Sequence, residues 1–188
     1  MRKFSLDILL FATMLYLMCY RFVPRFPHEL LGTLILIMLG IHIYWDRKAF
    51  RWNFLNSILI LTFAISIVSG ILLSHELFRD LIDGAFRKNI LVHKLHSSIP
   101  YFAMIFSGFH LGKNLWFKLP IPICGILIVS GIWGSIQNSL LNHLIFERVH
   151  HAERHPDFSI ELFLSILTMY LMFVAIGYLW KIRRRLKS

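Results

Sequence analysis

The sequence predicts an all-α protein that crosses a membrane six times, and two observations carry this prediction. First, 57% of the 188 residues are hydrophobic and the mean hydropathy is +0.64, whereas soluble domains contain about 45–50% apolar residues. Second, six apolar stretches approach the roughly 20 residues that span the hydrocarbon core of a bilayer. These stretches cover residues 5–23, 28–45, 53–74, 90–117, 119–141 and 159–181.

The first stretch begins like a signal peptide, because Arg2 and Lys3 precede its apolar run. No small-residue cleavage site follows the run, and Arg21 and Arg25 lead directly into the second stretch. We therefore expect the first stretch to be a retained membrane span.

The second and fourth stretches reach the length of a span only if their histidines are included. Pro27 suits the first turn of the second helix, where its missing N–H is harmless. Cys19 and Cys124 lie in the middle of the first and fifth stretches, and we interpret both as buried packing residues. With so little sequence outside the bilayer, we expect one domain and no soluble catalytic module.

The net charge of +10 indicates membrane topology rather than nucleic-acid binding, because the charge is unevenly distributed. Twelve of the 20 basic residues lie at the two termini, in the connection between spans two and three, or in the connection between spans four and five. The same segments contain only two acidic residues, Asp7 and Asp46. By the positive-inside rule, both termini of this multi-pass protein are cytoplasmic. The basic residues on that side are Arg2, Lys3, Arg47, Lys48, Arg51, Lys113, Lys118, Lys181, Arg183, Arg184, Arg185 and Lys187.

Four histidines occur in two equally spaced pairs. His28 and His42 are 14 residues apart in the second span, and His96 and His110 are 14 apart in the fourth. At about 100° per residue, that interval returns to within roughly 40° of the same helix face, about 21 Å further along the axis. Each helix therefore presents one histidine near each side of the membrane.

Spans two and four run in the same direction, so His28 is level with His96 near the outer surface and His42 is level with His110 near the cytoplasm. Histidine is costly to bury in lipid without a partner. Two facing imidazole pairs are what two bis-histidine haems require in a helix bundle. We therefore expect residues 1–117 to form a four-helix haem-binding core, flanked by two further spans in residues 118–188.

Other residues are candidates for contacts at the haem edge. Gly32, Gly108 and Gly112 could let a flat ring approach a helix, although glycine also serves helix–helix contact. His93 lies 17 residues from His110, about 100° off the shared face, so it is either a partner of a haem propionate or an interfacial histidine. The basic side chains that could pair with propionates, or simply anchor the membrane edge, are Arg21, Arg25 and Lys94 outside and Arg47 and Lys113 inside.

Two other interpretations explain the histidines without haem. The imidazoles could bond to neighbouring helices, as isolated polar residues in membranes do. They could also line a metal-transport path, which would require carboxylates within the membrane. Only Asp7 and Glu161 lie near the spans in this interpretation of the sequence.

Seven short motifs are spread along the apolar stretches and their connections, namely "LDILL", "HELLG", "LSHELF", "LHSSIPYF", "HLG", "GIWG" and "VAIGYLW". In these motifs the chain resembles the flavinylation-associated cytochromes, a bacterial family of membrane proteins long classed as a domain of unknown function. The resemblance extends over nearly the whole chain, and two positions, Ile43 and Asn114, depart from histidines that many members carry. There is a more distant likeness to the diheme bundle of respiratory cytochrome b.

This resemblance implies that His28, His42, His96 and His110 ligate two haem b groups. It implies a conduit in the bacterial cytoplasmic membrane that takes electrons from membrane quinol or from the cytoplasmic side. The acceptor would be an extracytoplasmic protein carrying covalently attached FMN. The chain would then be an electron-transfer protein or a component of an oxidoreductase; alternatives are a quinone-linked enzyme such as a superoxide oxidase and a non-redox haem or metal carrier.

The outer loop at residues 142–158 is rich in histidine. If it is helical, Glu147, His151 and His155 fall on one face and could bind a divalent ion. The alternative is a solvated loop that faces a partner, with histidines that make docking sensitive to pH.

Overall fold

The described chain is entirely helical. A computed structural model describes residues 2–18, 24–46, 53–115, 118–137 and 160–186, and these contain seven helices and no strand, which confirms the all-α prediction for this part of the protein. The helices are α1 (Arg2–Met18), α2 (Arg25–Asp46), α3 (Phe54–Leu72), α4 (Gly84–Arg87), α5 (Ile90–Asn114), α6 (Ile121–Gln137) and α7 (Ile160–Arg185).

Three helical segments are long and apolar enough to cross a membrane, namely Arg25–Trp45, Phe54–Leu72 and Phe163–Arg185. Two shorter apolar helices, Ile8–Met18 and Ile121–Ile136, accompany them. Helix α5 has 25 residues but carries three histidines and two lysines, which lower its hydropathy. The protein therefore has the helices of a membrane protein, while the count of six spans and the position of the termini stay predictions.

The described residues form two compact units, one as far as Pro100 and one from Tyr101 onward. The division falls within α5, whereas the sequence-based boundary lies between residues 117 and 118. His28, His42 and His96 belong to the first unit and His110 belongs to the second.

In the first unit, α1 packs on α2 and α2 packs on α3. Asn53 caps α3, because its side chain accepts a hydrogen bond of 3.0 Å from the N–H of Asn56. The hydroxyls of Thr62, Ser66 and Ser69 donate to backbone carbonyls three or four residues earlier. These internal bonds satisfy the polar side chains of an otherwise apolar helix.

A short helix that sequence analysis did not predict, α4, lies between α3 and α5. Asp83 caps it by accepting a hydrogen bond of 3.0 Å from the N–H of Ala85. Arg87, its last residue, donates from its guanidinium to the carbonyls of Arg79 and Ile82. The connection after α3 is thereby folded onto itself by side chain to backbone bonds.

In the second unit, α6 packs along α7, and glycines bring α7 against the last turns of α5. A Cβ atom added to Gly112 would collide with the backbone of Val174, and one added to Gly177 would collide with the backbone of Phe109. Small residues permit such close contact between helices in membranes. Cys124 of α6 is a buried free thiol, in agreement with a packing role, while Cys19 lies outside the described residues.

Candidate functional site

Two histidine rings from different helices meet within the first unit. The imidazole of His28 on α2 and that of His96 on α5 have their centres 6.1 Å apart, and the ring planes are inclined at 86°. The structure thus brings together the two residues that the sequence pairs near the outer surface.

The tautomer of His96 follows from its hydrogen bonds to α3. Its Nδ1 lies 3.2 Å from Oγ of Ser69 and 3.3 Å from the carbonyl oxygen of Ser66. A carbonyl only accepts, so the contact with Ser66 assigns the donor role to the ring; the hydroxyl of Ser69, which lies 3.0 Å from that same carbonyl, can accept from Nδ1 as well. Nδ1 therefore carries the proton, and Nε2 is left with a lone pair suited to a metal.

The ring of His96 packs against a glycine of α3, Gly70. A Cβ atom on Gly70 would lie 2.9 Å from Cε1 of His96, closer than side-chain packing allows. Sequence analysis missed Ser66, Ser69 and Gly70 as site residues. They stand at positions i, i+3 and i+4 of α3, and this spacing puts them on one face of the helix. The spacing is the sequence signal that could have identified them.

Among the described residues, His28 has a buried ring nitrogen with no hydrogen-bond partner. Its Nδ1 is buried and makes no hydrogen bond to any residue that the structure describes. Buried polar atoms in folded proteins are nearly always bonded, so an orphaned one calls for an explanation. A bound group that engages this imidazole would provide that explanation.

The spacing of the two rings fits a single metal between them. A metal held by two imidazoles on opposite sides keeps the ring centres about 6 Å apart, because each metal–nitrogen bond is about 2 Å long. The observed separation is 6.1 Å. The inclined planes are compatible with this arrangement, because each ring can rotate about its own metal–nitrogen bond.

Two imidazoles are the donor set that haem iron takes from a protein. Among the described residues, no group of three or more His, Cys, Asp or Glu side chains could hold a metal. A protein-bound zinc or copper ion ordinarily needs three or four such ligands. Haem iron takes four nitrogens from the macrocycle and needs only two from the protein, which His28 and His96 can supply.

The inner histidines are described separately, because they belong to different units. His42 is half-buried near the end of α2, and His110 is half-buried in α5. Nε2 of His110 lies 2.9 Å from Nδ2 of Asn114, one helical turn later. Asn114 is one of the positions that departs from the family pattern, and the pairing of His42 with His110 stays a prediction.

His93 has a structural partner of its own. Its Nε2 lies 2.7 Å from the carbonyl oxygen of Arg87, and because a carbonyl only accepts, the ring donates. This bond ties the first turn of α5 to α4. The contact favours the interfacial role of His93 over a role at the edge of a haem.

The three glycines singled out in the sequence differ in their surroundings. A Cβ atom on Gly32 would meet nothing within 4 Å, which leaves room beside α2 one turn after His28. A Cβ atom on Gly108 would lie 3.0 Å from the carbonyl oxygen of Tyr170, and one on Gly112 would collide with the backbone of Val174. Gly108 and Gly112 therefore serve contact between helices, one of the two roles that the sequence suggests for them, and a contact with haem stays a prediction.

The remaining candidates are either peripheral or outside the described part of the chain. Arg25 and Lys94 are exposed and Lys113 is half-buried. For these three basic side chains, pairing with a haem propionate and anchoring at the membrane edge both stay predictions. The candidates that lie outside the described residues are Arg21, Arg47, Glu147, His151 and His155.

A carboxylate that sequence analysis overlooked lies beside His28. Glu29 accepts hydrogen bonds from the hydroxyl of Ser74 at 2.6 Å and from the backbone N–H groups of His75, Glu76 and Leu77 at 2.8, 3.1 and 2.9 Å. It lies within a segment long and apolar enough to span a membrane. This corrects the expectation that only Asp7 and Glu161 lie near the spans.

A groove lies elsewhere, between α6 and α7. It has a volume of about 980 Å³ and is lined by apolar and small side chains such as Ile126, Val129, Trp133 and Leu164. None of the described residues that line it is ionisable.

The sequence matches no family model, and no curated protein or solved structure is similar to it.

Proposed function

We propose that this chain is a membrane cytochrome that binds two b-type haems and carries electrons across the bacterial cytoplasmic membrane. In this proposal the donor is membrane quinol or a cytoplasmic-side reductant, and the acceptor is an extracytoplasmic flavinylated protein. The observation that carries the proposal is the pair His28 and His96, whose ring centres are 6.1 Å apart.

The residues of the chain divide the work of holding the cofactors. His28 and His96 would ligate the outer haem, and His42 and His110 the inner one. Ser66 and Ser69 hold the ring of His96 with Nε2 available as a ligand. Haem iron bound in this way supplies one-electron redox chemistry, which no side chain of this set has by itself.

The helix that carries both His28 and His42 supports a conduit. Helix α2 runs without interruption through both residues, so their 14-residue interval corresponds to about 21 Å along its axis. His28 lies near the start and His42 near the end of the apolar segment Arg25–Trp45. Two redox sites on this helix would therefore lie towards opposite faces of a membrane.

Haem quantification tests the proposal most directly. Purified protein should contain two non-covalent haems per chain by the pyridine haemochrome assay, because no C-x-x-C-H motif exists to attach haem. His28→Ala or His96→Ala should each leave one haem, while His93→Ala, whose ring bonds to Arg87, should leave two. Fully loaded wild-type protein with no haem or one haem would contradict the proposal.

A further inference from the structure

The carboxylate of Glu29 connects α2 to the segment that follows α3. Its four partners, the Ser74 hydroxyl and three consecutive backbone N–H groups, all donate. An ionised carboxylate, which only accepts, satisfies all four, and bonds to a charged acceptor are stronger than neutral ones. We name this set of contacts, from Glu29 to residues 74–77, the carboxylate clamp.

The clamp has one buried anchor, Ser74, while its three backbone donors belong to exposed residues. The side chain of Ser74 is only 2% exposed. Its Oγ also accepts a hydrogen bond of 2.9 Å from the N–H of Phe78. The hydroxyl that donates to Glu29 is thus itself held in place by the following turn.

Helix α3 is consequently connected to both imidazoles although it contains no histidine. It contacts His96 directly, through Ser66 and Ser69. It is linked to His28 through Glu29, the next residue along α2, by way of Ser74 just beyond its last turn. The relative placement of the two rings therefore depends on the clamp.

We propose that Glu29 is a positioning residue of the outer haem site, which sets the placement of His28 opposite His96 and lowers the reduction potential of the haem they hold. This inference rests on the proposed function of the pair. The negative charge of Glu29, one residue from a ligand, favours the ferric state, because that state carries one more positive charge than the ferrous state.

The main experiment compares two variants that remove the same charge from the same region. Glu29→Gln removes the negative charge. It also replaces one carboxylate oxygen with an amide NH₂ group, which faces the groups that donate to Glu29 in the wild-type protein and cannot accept from them. Glu76→Gln removes an equal charge from an exposed side chain whose segment keeps its backbone bonds to Glu29. Each purified protein is titrated potentiometrically, and its oxidised haems are recorded by EPR spectroscopy, which reports the orientation of axial ligands.

We expect Glu29→Gln to raise the potential of the outer haem and to change its low-spin EPR signal, while Glu76→Gln leaves both close to wild type. Equal shifts in the two variants, or no shift in either, would overturn the proposal. If Glu29→Gln loses the outer haem, Ser74→Ala provides the second comparison, since it removes one donor and keeps the charge. A wild-type outer signal in Ser74→Ala would then overturn the positioning role.

A readout without haem separates this inference from the proposed function. In haem-free protein, the ring nitrogen chemical shifts of His28 and His96 should move in Glu29→Gln and stay in place in Glu76→Gln. Wild-type protein that binds no haem would contradict the proposed function. Unchanged ring shifts in Glu29→Gln would contradict the clamp whether or not haem binds.

Discussion

The ring of His96 lies against the bare Cα of Gly70, so closely that a methyl group there would approach Cε1 to 2.9 Å. The ring cannot simply move aside, because Ser66 and Ser69 hold its Nδ1. The glycine and the two hydroxyl-bearing residues thus act together on one imidazole.

Gly70→Ala should therefore weaken binding at the outer haem site. Overpacking of this kind typically costs about 1–3 kcal/mol, which corresponds to about a 5- to 150-fold loss of affinity. Haem titration of the apoprotein measures the effect. Gly125→Ala is the matched control, because a Cβ atom there meets nothing within 4 Å; equal affinities in the two variants would contradict the prediction.

Asn114→Ala should strengthen binding at the inner haem site. In the structure the amide of Asn114 occupies Nε2 of His110 at 2.9 Å, the nitrogen that an iron ligand would use. Removing a hydrogen bond worth about 1 kcal/mol should slow haem loss about fivefold. The rate of haem loss is measured by transfer of haem to an apoprotein acceptor, with the outer haem as the internal control. Faster loss from the inner site would contradict the idea that Asn114 competes with iron for Nε2 of His110.

His75→Gln should reduce the dependence of stability on pH. Burial, followed by the positive charges of Arg25 and Arg87, lowers the pKa of His75, while Glu29 raises it and His93 lowers it slightly. The contribution of His75 to the free energy of unfolding is fully present above the unfolded-state pKa of about 6.5. It is lost as the pH falls through the lower folded-state pKa. Thermal unfolding in detergent should show a smaller fall for His75→Gln than for wild type on acidification, and parallel curves would exclude this role.

His28→Ala should prevent delivery of electrons to the outside. In vesicles with reductant on the cytoplasmic side, the variant should still reduce its inner haem, while an external flavoprotein acceptor is reduced at least about tenfold more slowly. That factor corresponds to a loss of about 1.4 kcal/mol or more in the barrier. His93→Ala is the control, and an acceptor reduced at the normal rate by His28→Ala would exclude the outer haem as the exit.

Much of the helical framework could be predicted because apolar length and helical periodicity are local properties of the sequence. The six apolar stretches coincide with the six long helices that the structure describes. The equal 14-residue intervals within the second and fourth stretches led to the pairing of His28 with His96, and the structure places those two rings 6.1 Å apart. Short α4 was missed because its four residues are too few to show a period.

The surroundings of the site could not be predicted, because they depend on which faces of different helices meet. The bond between Glu29 and Ser74 joins residues 45 positions apart, and nothing in the local pattern of either segment indicates it. Glycine spacing was ambiguous for a related reason. Gly108 and Gly70 are both small residues in apolar helices, but one faces α7 and the other faces an imidazole.

The fixed tautomer of His96 has a consequence for how the protein would handle protons. Nδ1 keeps its hydrogen in the bonds to α3, and once Nε2 binds iron, the ring has no site left at which to accept a proton. If His96 held a haem, its ring would take up no proton when that haem was reduced. Electrons that crossed from inside to outside by such a route would move negative charge that no proton accompanies. Sustained transfer would therefore build up a membrane voltage, negative outside, that opposes further transfer. Continued transfer would then depend on ion movement through other proteins.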